Sequence, residues 1–361
     1  MKKICVAFNH LQISDGIAKS AISIANHLAV LNKADVTLRP VFIYDKTITK
    51  TINKKVKIKP LFRFYFRGFS KIVECLPQRI LHNLIYGNSK YDIEIGFQHG
   101  IATKSVISPK EFNTKHLIWI HGYDETLALK KFYMKADKII CVSQYNAERL
   151  KKDLGSGINV DYIYNPIDEK IVQAKGMEQV GLRSCNGDIS FVSVGRLSPE
   201  KGYDRLLDVF GKLKREERKF TLKIIGMGPE NKSLINKVKQ LGLENNVKFL
   251  GEQENPHKFT SKADIFICSS YSEGYSTACV EACMLGIPVL TTDVSGAKEI
   301  VDEAKAGMVV DNNEMALYSG IKNILDNPML IKKWHHTLQK TKQNFYSEER
   351  IKKLIKVLGL N

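Results

Sequence analysis

Two carboxylates eight residues apart carry the strongest chemical signal in the sequence, within Ser272-Glu273-Gly274-Tyr275-Ser276-Thr277-Ala278-Cys279-Val280-Glu281-Ala282. Glu273 falls in a glycine loop behind the apolar run 265–268, and Glu281 falls inside a helix that Ser276 is placed to cap. Eight residues of continuous helix would turn the second side chain about 80° from the first, so the two do not form one flat face. They can instead flank a helix N-terminus. The free amides around Ser276 and Thr277, with the positive end of the helix dipole, make an anion site suited to phosphate. A carboxylate on either side can accept from sugar hydroxyls. Hydroxyls, diphosphate, hydroxyls is the polarity of a nucleotide sugar. Two solvated glutamates around a buried helix are the plainer alternative, but they leave the Ser-Glu-Gly loop and the helix start unexplained.

A second constellation, Ser193-Val194-Gly195-Arg196-Leu197-Ser198-Pro199-Glu200-Lys201-Gly202, ends an apolar run in a glycine turn bearing two cations. Gly195 lets backbone approach a ligand closely, and Arg196 with Lys201 can neutralise a diphosphate, work otherwise done by a metal. No D-x-D sequence occurs, so the usual carboxylate arrangement for a nucleotide-bound Mg²⁺ or Mn²⁺ is missing. No metal and no resident cofactor is therefore expected. Taken alone, these residues equally describe a strand-to-helix turn with solvated charges. A third constellation, Ile224-Ile225-Gly226-Met227-Gly228-Pro229, resembles the opening of a dinucleotide fingerprint. Asn231 stands where a third glycine belongs, and Pro229 would open the following helix. The tight-turn reading is preferred here, and a nicotinamide dehydrogenase is kept as a rival.

These residues need elements to position them, and the chain is long enough to supply two sets. Its 361 residues with 43% hydrophobic content suit two domains rather than one core. Strand-like runs are expected at 4–8, 36–44, 93–97, 116–120, 138–142 and 160–163. They begin again at 189–194, 221–225, 247–250, 265–268 and 288–291. Amphipathic stretches such as 18–31 and 125–135 alternate with them, the signature of parallel sheets covered by helices. Tyr164-Asn165-Pro166-Ile167-Asp168 breaks the pattern as a crossover. The domains are expected at 1–168 and 169–345, with a basic amphipathic helix at 346–361 crossing back to the first.

The seven cysteines are scattered and include no C-x-x-C pair, which fits reduced thiols. No apolar stretch approaches the ~20 residues that span lipid, and the opening Met1-Lys2-Lys3 is not followed by a leader-like apolar run. The net charge of +17 is unevenly spread: residues 1–180 hold 28 Lys+Arg against 16 Asp+Glu. Between Lys46 and Lys90 eleven basic residues accompany one acid, Glu74. Within that segment lies Leu61-Phe62-Arg63-Phe64-Tyr65-Phe66-Arg67-Gly68-Phe69, where aromatics and arginines interleave. Such a segment suits an anionic lipid surface, with each nearby cation adding roughly 1 kcal/mol of attraction. An internal aromatic strand with a solvated rim, or a nucleic-acid surface with bases stacked on the rings, would use the same residues.

Together the motifs resemble the large family 4 of retaining glycosyltransferases. The resemblance runs from Gly195-Arg196-x-x-x-x-Lys201-Gly202 through Glu273 and Glu281. It continues into Gly286-Ile287-Pro288-Val289 and Ser295-Gly296-x-x-Glu299-Ile300-Val301. It implies the GT-B fold, an α/β architecture of two Rossmann-like domains with parallel sheets facing across a cleft. It also implies that Arg196 and Lys201 bind the donor diphosphate, that Glu273 contacts the donor sugar, and that the amides of Gly274, Tyr275, Ser276 and Thr277 hold phosphate. Glu281 then binds the ribose, and Gly195 and Gly226 line the nucleotide. In the first half, Asp15-Gly16-Ile17 looks like the family's glycine loop without its second glycine, and Ile118-Trp119-Ile120-His121-Gly122 ends a strand with an imidazole. By the resemblance His121 touches the donor sugar; a core histidine is the alternative.

The resemblance further implies front-face substitution with retention, since no second carboxylate is placed as a nucleophile. Domain closure is expected to assemble the site. It points to a UDP-linked hexose or N-acetylhexosamine donor and a lipid-linked saccharide acceptor. The pathway implied is bacterial capsule, exopolysaccharide or lipopolysaccharide synthesis, on the cytoplasmic face of the plasma membrane with peripheral contact through 46–90. A nucleic-acid-binding protein and a catalytically silent sugar-nucleotide-binding module are the competing functions.

Overall fold

Short runs of Ile, Val and Phe that are apolar on both faces can only be strands of a sheet covered on both sides, and parallel strands need helical crossovers between them. The computed structural model describes residues 1–12, 16–42, 44–62, 64–87, 90–106, 114–123, 127–155, 157–179 and 188–360. It divides the chain into two units, Met1–Ile167 with Ser347–Asn361, and Asp168–Tyr346.

Unit 1 runs β1 (Lys2–Phe8), α1 (Gly16–Val30), β2 (Ala34–Pro40), β3 (Lys57–Ile58), α2 (Phe69–Glu74), α3 (Gln78–Tyr86) and β4 (Ile93–Gly96). It continues through α4 (Ile101–Val106), β5 (Lys115–Ile120), α5 (Lys130–Tyr133), β6 (Lys138–Cys141), α6 (Gln144–Leu154) and β7 (Val160–Tyr162). Its sheet has the order β3-β2-β1-β4-β5-β6-β7, with every pairing parallel. The core is made by buried strand residues such as Cys5, Ile118 and Ile139 with Leu81, Ile85 and Leu150 from the helices.

Unit 2 runs α7 (Glu169–Gly176), β8 (Ile189–Val194), α8 (Tyr203–Arg215), β9 (Phe220–Ile225), α9 (Asn231–Gln240), β10 (Val247–Phe249) and α10 (His257–Thr260). Then come β11 (Ile265–Cys268), α11 (Thr277–Met284), β12 (Val289–Thr292), α12 (Ala297–Ala304), β13 (Gly307–Val310), α13 (Glu314–Asp326) and α14 (Pro328–Thr341). The sheet order β10-β9-β8-β11-β12-β13 is again parallel throughout. Phe191, Phe210 and Phe220 centre its core, with ring centroids 4.7 and 5.4 Å apart.

Unit 2 therefore follows the doubly wound order 3-2-1-4-5-6 and unit 1 the same order with a seventh strand added at the β6 edge, and in each the direction of winding reverses between the first and fourth strands. Ligands of such sheets bind outside the carboxyl ends of the strands at that reversal. In unit 2 the reversal lies between β8 and β11, and in unit 1 between β1 and β4. The last helix, α15 (Ser347–Leu358), packs on unit 1. Arg350 donates to the Asn165 carbonyl at 3.1 Å, Lys353 sits 3.2 Å over the Tyr162 ring, and Lys2 donates to the Gly359 carbonyl at 2.8 Å.

Two expectations are corrected, and two strands are added. The run 36–44 is a strand only to Pro40, because its partner β1 stops at Phe8; beyond it Tyr44 makes an isolated bridge to Leu11. Of the helix expected over 125–135, residues 125 and 126 lie outside the described residues; within the rest only Lys130–Tyr133 forms a turn of helix, since Leu127 takes φ 48°, a left-handed conformation that no helix interior holds. The short strands β3 and β13 were not expected. A two-residue pairing and the Gly-Met-Val-Val run of β13 are too brief to show a period.

Candidate active site

Unit 2 places its chemistry where the sheet reverses. β8 ends at Val194 and passes into the turn Gly195–Gly202, while β11 ends at Cys268 and passes into a loop of irregular backbone, 269–276, before α11. Lys201 and Glu273, 72 positions apart, meet there: Nζ donates to Oε1 at 2.7 Å. Ser270 donates its hydroxyl to the same carboxylate oxygen at 2.7 Å. Burial alone works against the Lys201 ammonium, but the charge and hydrogen bond of Glu273 outweigh it and hold its pKa above the ordinary lysine value. The Cys268 thiol, 3.9 Å from the same oxygen, is pulled down to about 7 by its hydrogen bond to Cys279, against the effect of burial. Arg196 is exposed on the β8 turn, and its guanidinium makes no ion pair among the described residues.

The helix start is built as its sequence requires. Ser276 is the N-cap of α11, with φ −67° and ψ 104°, and its hydroxyl accepts from the Cys279 amide. The Tyr275 ring is buried against Gly296, where a Cβ would come within 2.6 Å of it. Glu281 lies on α11 with its side chain part-exposed, 3.8 Å from His257 Nδ1.

Gly226 turns out to be held by backbone packing. It has φ +144°, its amide donates to the Gly251 carbonyl, and a Cβ there would lie 1.9 Å from the Gly195 carbonyl oxygen. Gly228 is pressed on the Leu197 backbone in the same way, at 2.2 Å. These glycines let the β9 turn support the cationic turn from behind. Gly195 is constrained by side chains, since a Cβ there would lie 2.9 Å from the Tyr203 hydroxyl and 3.8 Å from Lys201 Cδ.

In unit 1, Gly16 opens α1 with no described residue within 4 Å of where a Cβ would stand, and Asp15 lies outside the described residues. His121 follows β5, its ring 4.5 Å from that of Phe97 in an edge-on arrangement. Its Nε2 is shut from solvent with no hydrogen-bond partner among the described residues. Burial, with the nearby His99, pushes its pKa down to about 3. Sequence reading passed over His99, whose Nε2 lies 2.8 Å from the Gly122 carbonyl and whose Nδ1 lies 2.9 Å from the Tyr133 hydroxyl. His257, Arg205, Thr292 and Asn312 were also passed over, because only the folded loops bring them to the site.

The described residues of the aromatic segment form no strand, and only its ends, Leu61, Phe62 and Phe69, pack on the core. Phe62 stacks on buried Phe42 and Phe69 meets both rings edge-on, while Phe64, Tyr65 and Phe66 are exposed, as are Arg67 and Lys71. Arg63 lies outside the described residues. Lys57 is tied to Asp35 at 2.6 Å, so part of the basic run serves the fold. Among the described residues no helix is long and apolar enough to cross a membrane, and no three His, Cys, Asp or Glu side chains converge to hold a metal ion.

Residues 180–344 match the model of the glycosyl transferases group 1 family. A 222-residue stretch is 31% identical to the N-acetylgalactosamine-N,N'-diacetylbacillosaminyl-diphospho-undecaprenol 4-alpha-N-acetylgalactosaminyltransferase of Campylobacter jejuni, covering 61% of this chain and 59% of that protein. The chain thus spans less than two thirds of that relative. The whole fold is similar to sucrose-phosphate synthase from Thermosynechococcus elongatus, with a TM-score of 0.79, 17% identity and 99% and 98% of the two chains covered. It is also similar to Anabaena HepE solved in complex with UDP, with a TM-score of 0.73, 18% identity and 99% and 100% covered. With two doubly wound parallel sheets and the Lys201–Glu273 pair at the reversal of the second, this is a chain of GT-B fold whose second unit matches the model of the group 1 glycosyl transferases.

Proposed function

We propose that this chain is a retaining glycosyltransferase that moves a hexose or N-acetylhexosamine from a nucleotide diphosphate sugar, UDP-linked, to a lipid-linked saccharide in bacterial surface polysaccharide synthesis. The observation that carries the reading is the meeting of Lys201 with Glu273 at 2.7 Å beside the start of α11. A cation, a hydroxyl-accepting carboxylate and free helix amides at one strand edge match a sugar joined to a diphosphate. As the sugar leaves, negative charge grows on the diphosphate, and donors already aimed at it lower the barrier. Arg196, Lys201 and the α11 amides supply that charge in this reading without a metal ion, and Glu281 takes the ribose. The Campylobacter relative, whose acceptor is a diphospho-undecaprenol saccharide, supports the choice of acceptor.

The acceptor is assigned to unit 1, held peripherally on the cytoplasmic face of the membrane. Exposed Phe64, Tyr65 and Phe66 beside Arg67 and Lys71 support this, since rings at headgroup depth and cations near anionic lipid both favour such a surface. Screening UDP- and GDP-sugars for binding, then analysing products on a short lipid-diphosphate acceptor by mass and by anomeric NMR, tests the chemistry. Turnover is expected to persist in EDTA; its loss there, or an inverted product, overturns that part. Arg67→Glu with Lys71→Glu should abolish co-sedimentation with phosphatidylglycerol vesicles while sparing donor hydrolysis. Unchanged sedimentation, or salt-sensitive retention on random DNA with no sugar turnover, defeats the membrane and transferase readings respectively.

A further inference from the structure

Loop 269–276 has no ladder to satisfy its backbone, so its polar groups must find partners elsewhere. The Tyr271 amide donates to the Glu200 carbonyl at 2.8 Å, and the carbonyls of Ser269, Ser270, Tyr271 and Gly274 are each met by a side chain. Ser295 donates to Gly274 at 2.9 Å, Thr292 to Ser270 at 2.6 Å, and Asn312 to Tyr271 at 2.9 Å. The remaining donor is Arg205. Its Nε and Nη2 reach the Ser269 carbonyl at 3.0 and 2.6 Å, and Nη2 also reaches Ser270 at 2.8 Å and Asn312 Oδ1 at 2.7 Å.

Arg205 projects from the buried face of α8, between Tyr203 and Leu206, and is 4% exposed. A leucine there would pack without desolvating a charge, so the guanidinium must answer a specific need. That need is several carbonyl oxygens converging on one point, which a planar fork of donors satisfies and a single ammonium does not. Its face lies 3.8 Å over the Tyr271 ring, which fixes the third loop residue as well. Gly202 closes the cradle, since a Cβ there would lie 2.3 Å from the Ser269 carbonyl oxygen. Ser270, whose carbonyl Arg205 holds, is the residue whose hydroxyl is bonded to Glu273.

We propose that Arg205 is a positioning residue of the donor site: through Ser270 it sets the direction of the Glu273 carboxylate, without itself touching the sugar. The inference rests on Glu273 contacting the donor. A carboxylate displaced by about 1 Å can cost on the order of a hundredfold in rate while leaving nucleotide affinity nearly intact. Arg205→Met and Arg205→Lys in the full chain, with Asn312→Ala as a milder lesion, test it by steady-state kinetics, UDP titration and amide hydrogen exchange.

For Arg205→Met we expect kcat to fall about a hundredfold, UDP affinity to change less than about threefold, and exchange to quicken in 269–276 but not in β8 or β11. Arg205→Lys should recover part of kcat, and Asn312→Ala should lose about tenfold. A folded Arg205→Met with wild-type kcat overturns the proposal, as does exchange quickened evenly across unit 2. If Arg205→Met does not fold, Asn312→Ala decides, and an unchanged kcat and loop exchange count against the proposal. Should the wild type turn over no nucleotide sugar, the proposed function fails instead, and the exchange comparison still decides whether Arg205 holds the loop.

Discussion

At the sheet reversal of unit 2, opposite charges meet: Lys201 and Glu273 at 2.7 Å, with Arg196 exposed beside them. At the strand ends of unit 1, imidazoles gather instead: His121 with its ring against Phe97, and His99 bonded to a carbonyl and a phenol. The strand order is the same in both sheets up to the seventh strand of unit 1, so the difference belongs to the loops. In the first, the Glu273 carboxylate holds the Lys201 pKa above its ordinary value, and the cations there suit an anion. In the second, burial holds the His121 imidazole well below its ordinary pKa, and a neutral ring suits polar neutral groups. One fold has been given two electrostatic tasks by side chains at equivalent ends of its strands.

The comparison breaks most sharply at Lys201. Lys201→Ala removes the cation and leaves Glu273 without its partner. It should lower kcat/KM by about a hundred- to a thousandfold, the usual loss when one preorganised donor is taken from a developing negative charge. His121→Asn, which exchanges one neutral side chain for another, should cost much less. Initial rates with the donor found by the screen measure both. Equal losses would mean that the two units do not divide the work in this way.

Glycines offer a second contrast of smaller size. Gly226→Ala must place a Cβ 1.9 Å from the Gly195 carbonyl oxygen at φ +144°, so strain and displacement together should cost about 3 kcal/mol or more. Gly16→Ala meets no described residue within 4 Å at the first residue of α1 and should be neutral or stabilising by up to about 1 kcal/mol. Thermal unfolding of the two variants reads the difference. A well-folded Gly226→Ala of wild-type stability would show that the β9 turn does not buttress the cationic turn.

How much of this was legible follows from range. The cap of α11, the glycine turn after β8 and the strands 189–194 and 265–268 depend on neighbours within a few positions, and their signals stand in the sequence. The fold class followed from the repeated alternation of such runs. That Lys201 reaches Glu273 depends on β8 pairing with β11, a contact across 72 positions that no local period encodes. Arg205 was hidden for the same reason: on α8 it reads as one more charge, and only the loop's convergent carbonyls reveal what it holds. The tight turn at Gly226 was legible from its glycines, but the carbonyl it packs on, that of Gly195, was not, because that contact joins two separate βα turns.

The smallest effect tests the neutral side of the comparison through pH. The folded pKa of His121 is depressed to about 3, chiefly by burial and then by His99, from about 6.5 in the unfolded chain. Below pH 6.5 the unfolded chain therefore binds a proton that the folded chain refuses. Stability attributable to this group is constant above that pH, falls by up to about 1.4 kcal/mol per pH unit as the pH drops, and levels off near pH 3. His121→Asn removes the titration, so the stability gap between wild type and variant should shift in favour of the variant between pH 7 and pH 5. Urea midpoints at matched pH values measure that gap. A gap independent of pH, or one shifting toward the wild type, would mean that the imidazole accepts its proton in the folded unit, and the electrostatic division between the two strand edges would fail on that side.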